Sequence, residues 1–315
     1  MERLEWIDSL KGFLIILVVI GHIIAGEDRA YPLYSFIYTF HMPLFFMISG
    51  TLSTKLTDVE LLGYIKKKFR TLILPYFTFS IIGGFINGLD VFPSYFLGSI
   101  KGGLWFLPCL FVFSVMLIVI CKVSRRLNYI KKTHSDILLI IVTAFLLGVL
   151  YLLIPDSMQD IFIPGTLLLY WPYYALGYII SCYSFSLSDR IIALLGIIFI
   201  VVWWCDFSSH VYGKPVYQFS RLCAVLFFYY IFQNTRFVVK VLSFIGRETL
   251  CIYLMHYYFI KGIYGFVFHK CGDVPLFEIC SIIFVSIVIS YICIIIKRML
   301  NTNRYLGFLL FGQKL

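Results

Sequence analysis

The sequence predicts an all-α, polytopic membrane protein of about ten transmembrane helices with both termini cytoplasmic. Hydrophobic residues make up 61% of the 315 residues, charged residues make up 13%, and the mean hydropathy is +0.93. Soluble domains contain about 25% charged residues, so this composition indicates a membrane protein.

Ten apolar runs are long enough, or nearly long enough, to cross about 30 Å of hydrocarbon. They lie at about 10–25, 32–52, 71–88, 103–121, 137–154, 164–182, 190–205, 219–233, 248–267 and 276–296. The connections between them are short, and we expect a single transmembrane domain over 1–315, with no further domain after the tenth run. The first run continues past signal-peptide length without a small-residue cleavage pattern, so we expect no cleavable signal peptide.

The distribution of Lys and Arg predicts the orientation. With a cytoplasmic N-terminus, 20 of the 26 Lys and Arg residues lie in cytoplasmic segments. The opposite loops hold Arg29, Lys101, Lys214 and Lys270, and two further cations, Arg221 and Lys261, lie within or at the edge of spans. This asymmetry follows the positive-inside rule and implies an even number of spans. The rule also accounts for the net charge of +10, so we expect no nucleic-acid partner.

The nine cysteines show no CxxC pair and no spacing typical of metal ligands. Most lie in apolar runs, where cysteine behaves as a small hydrophobic residue. We therefore expect neither a disulfide framework nor a metal site.

The first helix carries an unusual stripe of ionisable residues in the segment IDSLKGFLIILVVIGH, residues 7–22. Lys11 and His22 fall on nearly the same helix face about 16 Å apart, and Asp8 shares that face. An ionisable group near the membrane midplane is a functional-site hypothesis by default, which makes His22 a candidate. Other interpretations stay open: Lys11 as an interfacial anchor, Asp8 as an N-cap or partner of Lys11, and His22 as a buried, hydrogen-bonded neutral residue.

The second helix contains FHMPLFFMISG at 40–50, which places His41 about 14 Å from the outer end, at a depth similar to that of His22. Pro43 breaks the backbone ladder there, so a neighbour or a cavity must satisfy the freed carbonyl groups. Ser49 and Gly50 allow close helix packing. His41 itself is interpretable either as a packing residue or as a site residue.

Three further positions carry candidate chemistry. In YIKKKFRTLILPYF, residues 64–77, Lys67 and Arg70 are three apart, and such a cationic pair suits phosphate, although a topology anchor is the alternative. Trp105 is interpretable as an aromatic-belt residue, a carbohydrate-stacking residue or part of an acyl path. His256, with Tyr253 one turn before it, is a third histidine about 12 Å deep.

Taken together, these segments resemble the acyltransferase-3 family of bacterial integral-membrane O-acyltransferases, in its short, ten-span form. Residues 7–22 are similar to the family's first helix, with Lys11 where many members, including those that acetylate sugars, have arginine. FHMPLFFMISG resembles the second-helix signature. KKFR followed by LILPYF resembles an Arg-x-x-Arg motif with a Pro-aromatic pair, here with lysine in the first place. Weaker matches are GGLWFLPCLF, WPYYALGYII and LCIYLMHYYF.

The resemblance implies a cytoplasmic acetyl-CoA or other acyl-CoA as donor substrate, with no permanently bound cofactor. It implies a hydroxyl of a cell-surface glycan, or of its lipid-linked precursor, as acceptor, and a multi-pass location in the bacterial inner membrane. Lys67 and Arg70, with Lys11, would hold the CoA phosphates, and Asp8 would order Lys11.

The remaining candidates would act at the reacting groups or on the acceptor. His22 would act as general base on the acceptor hydroxyl. His41, His256 or Tyr253 would orient that hydroxyl or donate to the developing oxyanion. Trp105 and Tyr253 are candidate substrate-binding residues.

Two other functions compete with this interpretation. A transporter or flippase for a glycan or lipid-linked substrate would usually carry midplane carboxylates and inverted repeats, and the sequence displays neither. A glycosyltransferase with a lipid-phosphate donor would need acidic residues in longer outer loops.

Overall fold

The computed structural model describes residues 4–25, 32–53, 56, 59–88, 90–126, 132–209, 214–235, 238–260 and 275–314, and at 132–134, 206–209, 214–215 and 275–277 it describes the backbone alone. These residues are overwhelmingly helical and contain no β-strand. The all-α prediction is therefore confirmed for the described part of the chain.

The helices follow one another along the chain. They are α1 (Glu5–Ala25), α2 (Pro32–Thr51), α3 (Leu61–Lys68), α4 (Leu74–Asn87), α5 (Ser94–Leu97), α6 (Phe106–Arg126), α7 (Lys132–Leu153), α8 (Asp156–Phe162), α9 (Pro164–Tyr183), α10 (Asp189–Ser209), α11 (Lys214–Asn234), α12 (Lys240–Arg247), α13 (Thr249–Ile260), α14 (Pro275–Leu300) and α15 (Arg304–Phe311). A π-helical segment, Phe69–Ile73, joins α3 to α4, and a 3₁₀ turn, Lys101–Gly103, precedes α6.

All ten predicted apolar runs fall on helices, and the last residues of the ninth run, 261–267, lie outside the described residues. Within the described part, five helical stretches are long and apolar enough to cross a membrane: Glu5–Ala25, Leu61–Asn87, Phe106–Arg126, Ser135–Leu153 and Glu278–Leu300. The count of ten spans and the orientation of the termini stay predictions.

The chain divides into two compact units. Unit 1 comprises Met1–Phe45 and Ser186–Met299, and unit 2 comprises Phe46–Phe185 and Leu300–Leu315. Unit 1 holds the three candidate histidines, Asp8 and Lys11, whereas unit 2 holds Lys67, Arg70 and Trp105.

In unit 1, α12 packs its backbone directly against the first half of α1. A Cβ atom at Gly12 would lie 1.9 Å from the carbonyl oxygen of Leu242, and one at Gly246 would lie 1.8 Å from the carbonyl oxygen of Asp8. Only glycine permits this approach, since real Cβ atoms do not come within 3.0 Å of other heavy atoms. The contact fixes the end of α1 that carries Asp8 and Lys11.

In unit 2, the end of α2 and the middle of α9 cross in the same manner. Cβ atoms at Gly50 and Gly177 would each lie 1.9 Å from a backbone oxygen of the facing helix, that of Tyr174 and that of Met47 respectively. The prediction that Gly50 allows close packing is therefore confirmed. Small residues at such crossings let helices associate where no hydrophobic driving force acts between them.

Lys101 joins two short helices of unit 2. Its side chain is 4% exposed, and its ammonium group donates to the carbonyl oxygens of Phe96 at 2.8 Å, Asp160 at 2.8 Å and Ile161 at 2.9 Å. These carbonyls lie in the last turns of α5 and α8, where a cation is favourable. Burial lowers the pKa of Lys101, and the charge of Asp160 opposes that shift.

Candidate active site

The candidates at the N-terminal end of α1 form an ion cluster in unit 1. Asp8 is buried, and its Oδ1 lies 3.2 Å from the Nζ of Lys11. Its Oδ2 lies 3.9 Å from the Nε of Arg247, at the end of α12. The structure thus brings Asp8 and Lys11 together and adds Arg247, which the sequence pattern did not single out. The carboxylate holds Lys11 in a defined position beside a second cation.

His22 and His256 lie side by side on α1 and α13. Their ring centroids are 5.2 Å apart, and Tyr257 stands edge-on to His22 at 5.7 Å. His256 is 3% exposed, whereas His22 is only partly buried. The depths estimated from helix rise placed both histidines near the same level, and the structure brings them into one cluster.

His41 joins the same cluster through Tyr38. The Tyr38 ring lies 4.8 Å from the His41 ring and 6.4 Å from the His22 ring, edge-on to both. His41 is 4% exposed. We call the group formed by His22, His41 and His256 the histidine cluster.

Backbone hydrogen bonds define which ring nitrogen is protonated in two members of the histidine cluster. The Nδ1 of His41 lies 2.7 Å from the carbonyl oxygen of Ile37, and the Nδ1 of His256 lies 2.8 Å from that of Ile252. A carbonyl oxygen only accepts, so each Nδ1 carries the hydrogen and each neutral ring keeps a basic lone pair on Nε2. The Nε2 of His256 is buried and has no hydrogen-bond partner among the described residues.

Tyr253 and Tyr257 extend the surface around His256 on α13. The Tyr253 ring centroid is 6.3 Å from that of His256, and that of Tyr257 is 6.4 Å away. Tyr253 is three residues before His256 and shares its helix face, whereas Tyr257 is the next residue in the chain. The predicted neighbourhood of Tyr253 and His256 is therefore present.

A buried arginine next to the histidine cluster is the main residue that the motifs did not identify. Arg221 on α11 is 7% exposed, and its Nε donates to the carbonyl oxygen of Thr39 at 3.1 Å. Pro43 has no N–H, so the Thr39 carbonyl loses its usual partner in α2. The predicted need for a neighbour at this break is met by Arg221. The sequence did contain one indication of this residue, because Arg221 is a cation inside the apolar run 219–233.

The two candidate phosphate-binding cations of unit 2 sit at a change of helix type. The chain is α-helical through Lys68 and π-helical over Phe69–Ile73, directly before Pro75. Lys67 is exposed, whereas Arg70 is half-buried, and the Nε of Arg70 is enclosed without a hydrogen-bond partner among the described residues. The three-residue spacing rule assumed a continuous α-helix, so it does not govern this pair. π-helical turns are frequent at functional sites.

The C-terminal segment of unit 2 covers the backbone of this π-helical turn. Gly312 adopts φ +63°, and a Cβ there would lie 2.2 Å from the carbonyl oxygen of Arg70. α15 is attached to α4 by a hydrogen bond from Thr78 to the carbonyl oxygen of Leu309, 3.0 Å long, and by the Phe79 and Phe311 rings. The position of Arg70 is therefore fixed from outside its own helix.

Trp105 belongs to an aromatic group of unit 2. Its ring stacks on Tyr170 at 5.3 Å, and Phe46 and Phe106 lie at 6.1 and 6.4 Å. Trp105 is partly exposed. The stacked pair presents a flat aromatic surface, which suits the apolar face of a sugar ring, and an interfacial anchor is the other role of such a residue.

No set of three or more His, Cys, Asp or Glu side chains in the described ranges is arranged to hold a metal ion.

Comparison with known proteins identifies the family. A family model described as an acyltransferase domain, Acyl_transf_3, matches residues 4–295. The nodulation protein NolL of Mesorhizobium japonicum is 28% identical over 134 residues, which are 38% of this chain and 36% of that protein. The matched region thus spans about a third of NolL. No solved structure matches the chain.

The family match covers nearly the whole chain, including every candidate residue described above, and the helices are those of a membrane protein. The chain therefore belongs to the acyltransferase-3 family.

Proposed function

We propose that this enzyme is an O-acyltransferase of the bacterial inner membrane, with ten spans. It moves an acetyl or other acyl group from acyl-CoA to a hydroxyl of a cell-surface polysaccharide or of its lipid-linked precursor. The histidine cluster is the observation that carries the proposal, because it gathers three imidazoles within an acyltransferase chain. The choice of acceptor rests on the family resemblance.

The reaction requires a base for the acceptor hydroxyl. The hydroxyl oxygen bonds to the thioester carbonyl carbon while its proton passes to the imidazole of His22, and the carbonyl electron pair moves onto the carbonyl oxygen. When that oxyanion collapses, the carbon–sulfur bond breaks, and the CoA thiolate takes the proton from His22. Imidazole is suited to both transfers because its ordinary pKa lies near neutrality.

His41 and His256 support the acceptor by accepting hydrogen bonds. In the tautomer fixed by Ile37 and Ile252, Nε2 carries a lone pair and no hydrogen. Neutral His41 and His256 are therefore acceptors for a substrate hydroxyl, and this tautomer disfavours the alternative in which they donate to the oxyanion.

The CoA phosphates are assigned to Lys67 and Arg70 of unit 2, and a role for Lys11 of unit 1 in binding CoA rests on the family resemblance alone. A buried guanidinium nitrogen without a partner, the Nε of Arg70, is costly unless an anion binds it. Guanidinium groups bind phosphate oxygens with fixed geometry. The Trp105–Tyr170 stack is assigned to the sugar acceptor.

Binding and turnover of radiolabelled acetyl-CoA by the purified protein in lipid nanodiscs test this proposal. We expect Arg70→Ala to weaken acetyl-CoA binding about tenfold, since it removes a charge-assisted contact. We expect His22→Ala to bind acetyl-CoA normally and to lose turnover by about 1,000-fold. Lys66→Ala, at an exposed neighbouring lysine, is the matched control. Binding of no acyl-CoA by the wild type, or full turnover by His22→Ala, would overturn the proposal.

A further inference from the structure

His41 and His256 do not direct an N–H group at the negative charge that acyl transfer creates. The two rings whose tautomer is fixed direct their N–H groups at backbone carbonyls, at 2.7 Å in His41 and 2.8 Å in His256. A tetrahedral oxyanion is stabilised by donors or positive charge placed in advance, and this is usually the largest single contribution to catalysis. A group other than these two imidazoles must therefore supply a donor or positive charge.

Arg221 is a buried cation of unit 1 beside this cluster. Its Nε bonds the carbonyl of Thr39, which lies in α2 between Tyr38 and His41. Its Nη1 donates to the Oε1 of Gln218 at 3.2 Å, and the guanidinium lies over the Tyr217 ring at 4.8 Å. These contacts hold the guanidinium against the segment of α2 that carries His41.

The charge of Arg221 has no carboxylate partner among the side chains that the structure describes. Its Nη2 makes no hydrogen bond among those residues. A guanidinium that is 7% exposed and lacks a counter-ion is costly inside a membrane protein, and such groups mark sites for anions.

We propose that Arg221 is a catalytic residue that stabilises the oxyanion formed on the acyl carbonyl during transfer. This inference rests on the proposed function. The carbonyl oxygen gains its electron pair when the acceptor oxygen bonds to the carbonyl carbon, and the fixed guanidinium balances that charge until the carbon–sulfur bond breaks. The group requires no proton transfer, because arginine stays protonated throughout.

A structural role for Arg221 is the competing explanation, since its Nε satisfies the carbonyl that Pro43 frees. Pro43→Ala separates the two roles. Alanine at 43 restores an N–H that can bond the Thr39 carbonyl within α2, which removes the structural need for Arg221 and leaves its charge in place.

The test measures labelled acyl incorporation into glycan in everted membrane vesicles of the native host, where the natural acceptor is present. Acetyl-CoA is varied to separate kcat from KM, for Arg221→Met, Arg221→Lys, Pro43→Ala and Pro43→Ala/Arg221→Met. We expect Arg221→Met to lower kcat about 100-fold with little change in KM. We expect Arg221→Lys to keep part of the kcat that Arg221→Met loses. We expect the kcat of Pro43→Ala to exceed that of Pro43→Ala/Arg221→Met by the same factor of about 100.

Three results would overturn the inference. They are a kcat of Arg221→Met within about threefold of wild type, an effect of Arg221→Met on KM alone, or a kcat of Pro43→Ala/Arg221→Met that recovers to that of Pro43→Ala. None of these three results contradicts the proposed function, provided that the wild-type protein transfers the label. Failure of the wild type to transfer label from any acyl-CoA would instead remove both the proposed function and this inference.

Discussion

At the scale of single residues, the chemistry depends on where the imidazole hydrogens point. The Nδ1 of His256 donates its hydrogen to the Ile252 carbonyl, which leaves a basic lone pair on the buried Nε2. The ring centroids of His256 and His22 are 5.2 Å apart. Glutamine at 256 preserves polarity but has no comparable base. We expect His256→Gln to lower transfer about 100-fold, while His134→Ala, at a histidine with no assigned role, leaves it unchanged. Equal activity of the two variants in the vesicle assay would argue against a role for His256.

Lys101 illustrates a residue whose contribution is to stability. Methionine at 101 retains the length of the side chain but leaves the carbonyls of Phe96, Asp160 and Ile161 without their donor. We expect Lys101→Met to lower the free energy of unfolding by about 3 kcal/mol. Thermal unfolding in detergent, followed by a dye that reacts with the buried thiols of Cys109 and Cys121, measures the change. An unchanged unfolding temperature would rule out this capping role.

At the scale of helices, the crossing of α2 and α9 depends on glycine. A methyl group at Gly50 would meet the Tyr174 carbonyl at 1.9 Å, whereas one at Gly148 in α7 would meet nothing within 4 Å. We expect Gly50→Ala to destabilise the protein by about 3 kcal/mol, and Gly148→Ala to be neutral or stabilising by less than about 1 kcal/mol. The same thermal assay compares the pair, and equal stabilities would contradict the observed crossing.

The π-helical turn at Phe69–Ile73 is an element whose position matters for donor binding. Gly312 lies against the Arg70 carbonyl, so a larger residue at 312 must push the C-terminal segment away from this turn. We expect Gly312→Val to raise the KM for acetyl-CoA severalfold with kcat nearly unchanged. A lower kcat at constant KM would show that the segment serves another purpose.

At the scale of the whole molecule, the charge asymmetry predicts topology. Both termini are expected to be cytoplasmic, so a green fluorescent protein at the C-terminus should fluoresce. Alkaline phosphatase should be active when fused after Lys101, a predicted outer position, and inactive when fused after Arg126. Activity after Arg126 would contradict the predicted orientation.

Much of the fold was predictable from local pattern, because the apolar runs mark where the long helices lie. Helix rise placed His22 and His256 near the same depth, but their contact depends on the packing of α1 against α13 and was not predicted. The pairing of Arg221 with Thr39 was not predictable either, because residues 182 positions apart meet only through tertiary packing. Helix α12 was missed because it is short and has few apolar residues beyond the face that packs on α1.

The central claim, O-acylation of a surface glycan through His22, is tested most directly in the native host. The measurement is the content of base-labile acyl esters in purified surface glycan from the wild type, a deletion strain, and the deletion strain expressing either wild-type protein or His22→Ala. We predict that deletion removes one class of ester, that the wild-type protein restores it, and that His22→Ala, expressed at the same level, does not. An ester content that is unchanged by deletion, or that His22→Ala fully restores, would contradict the account.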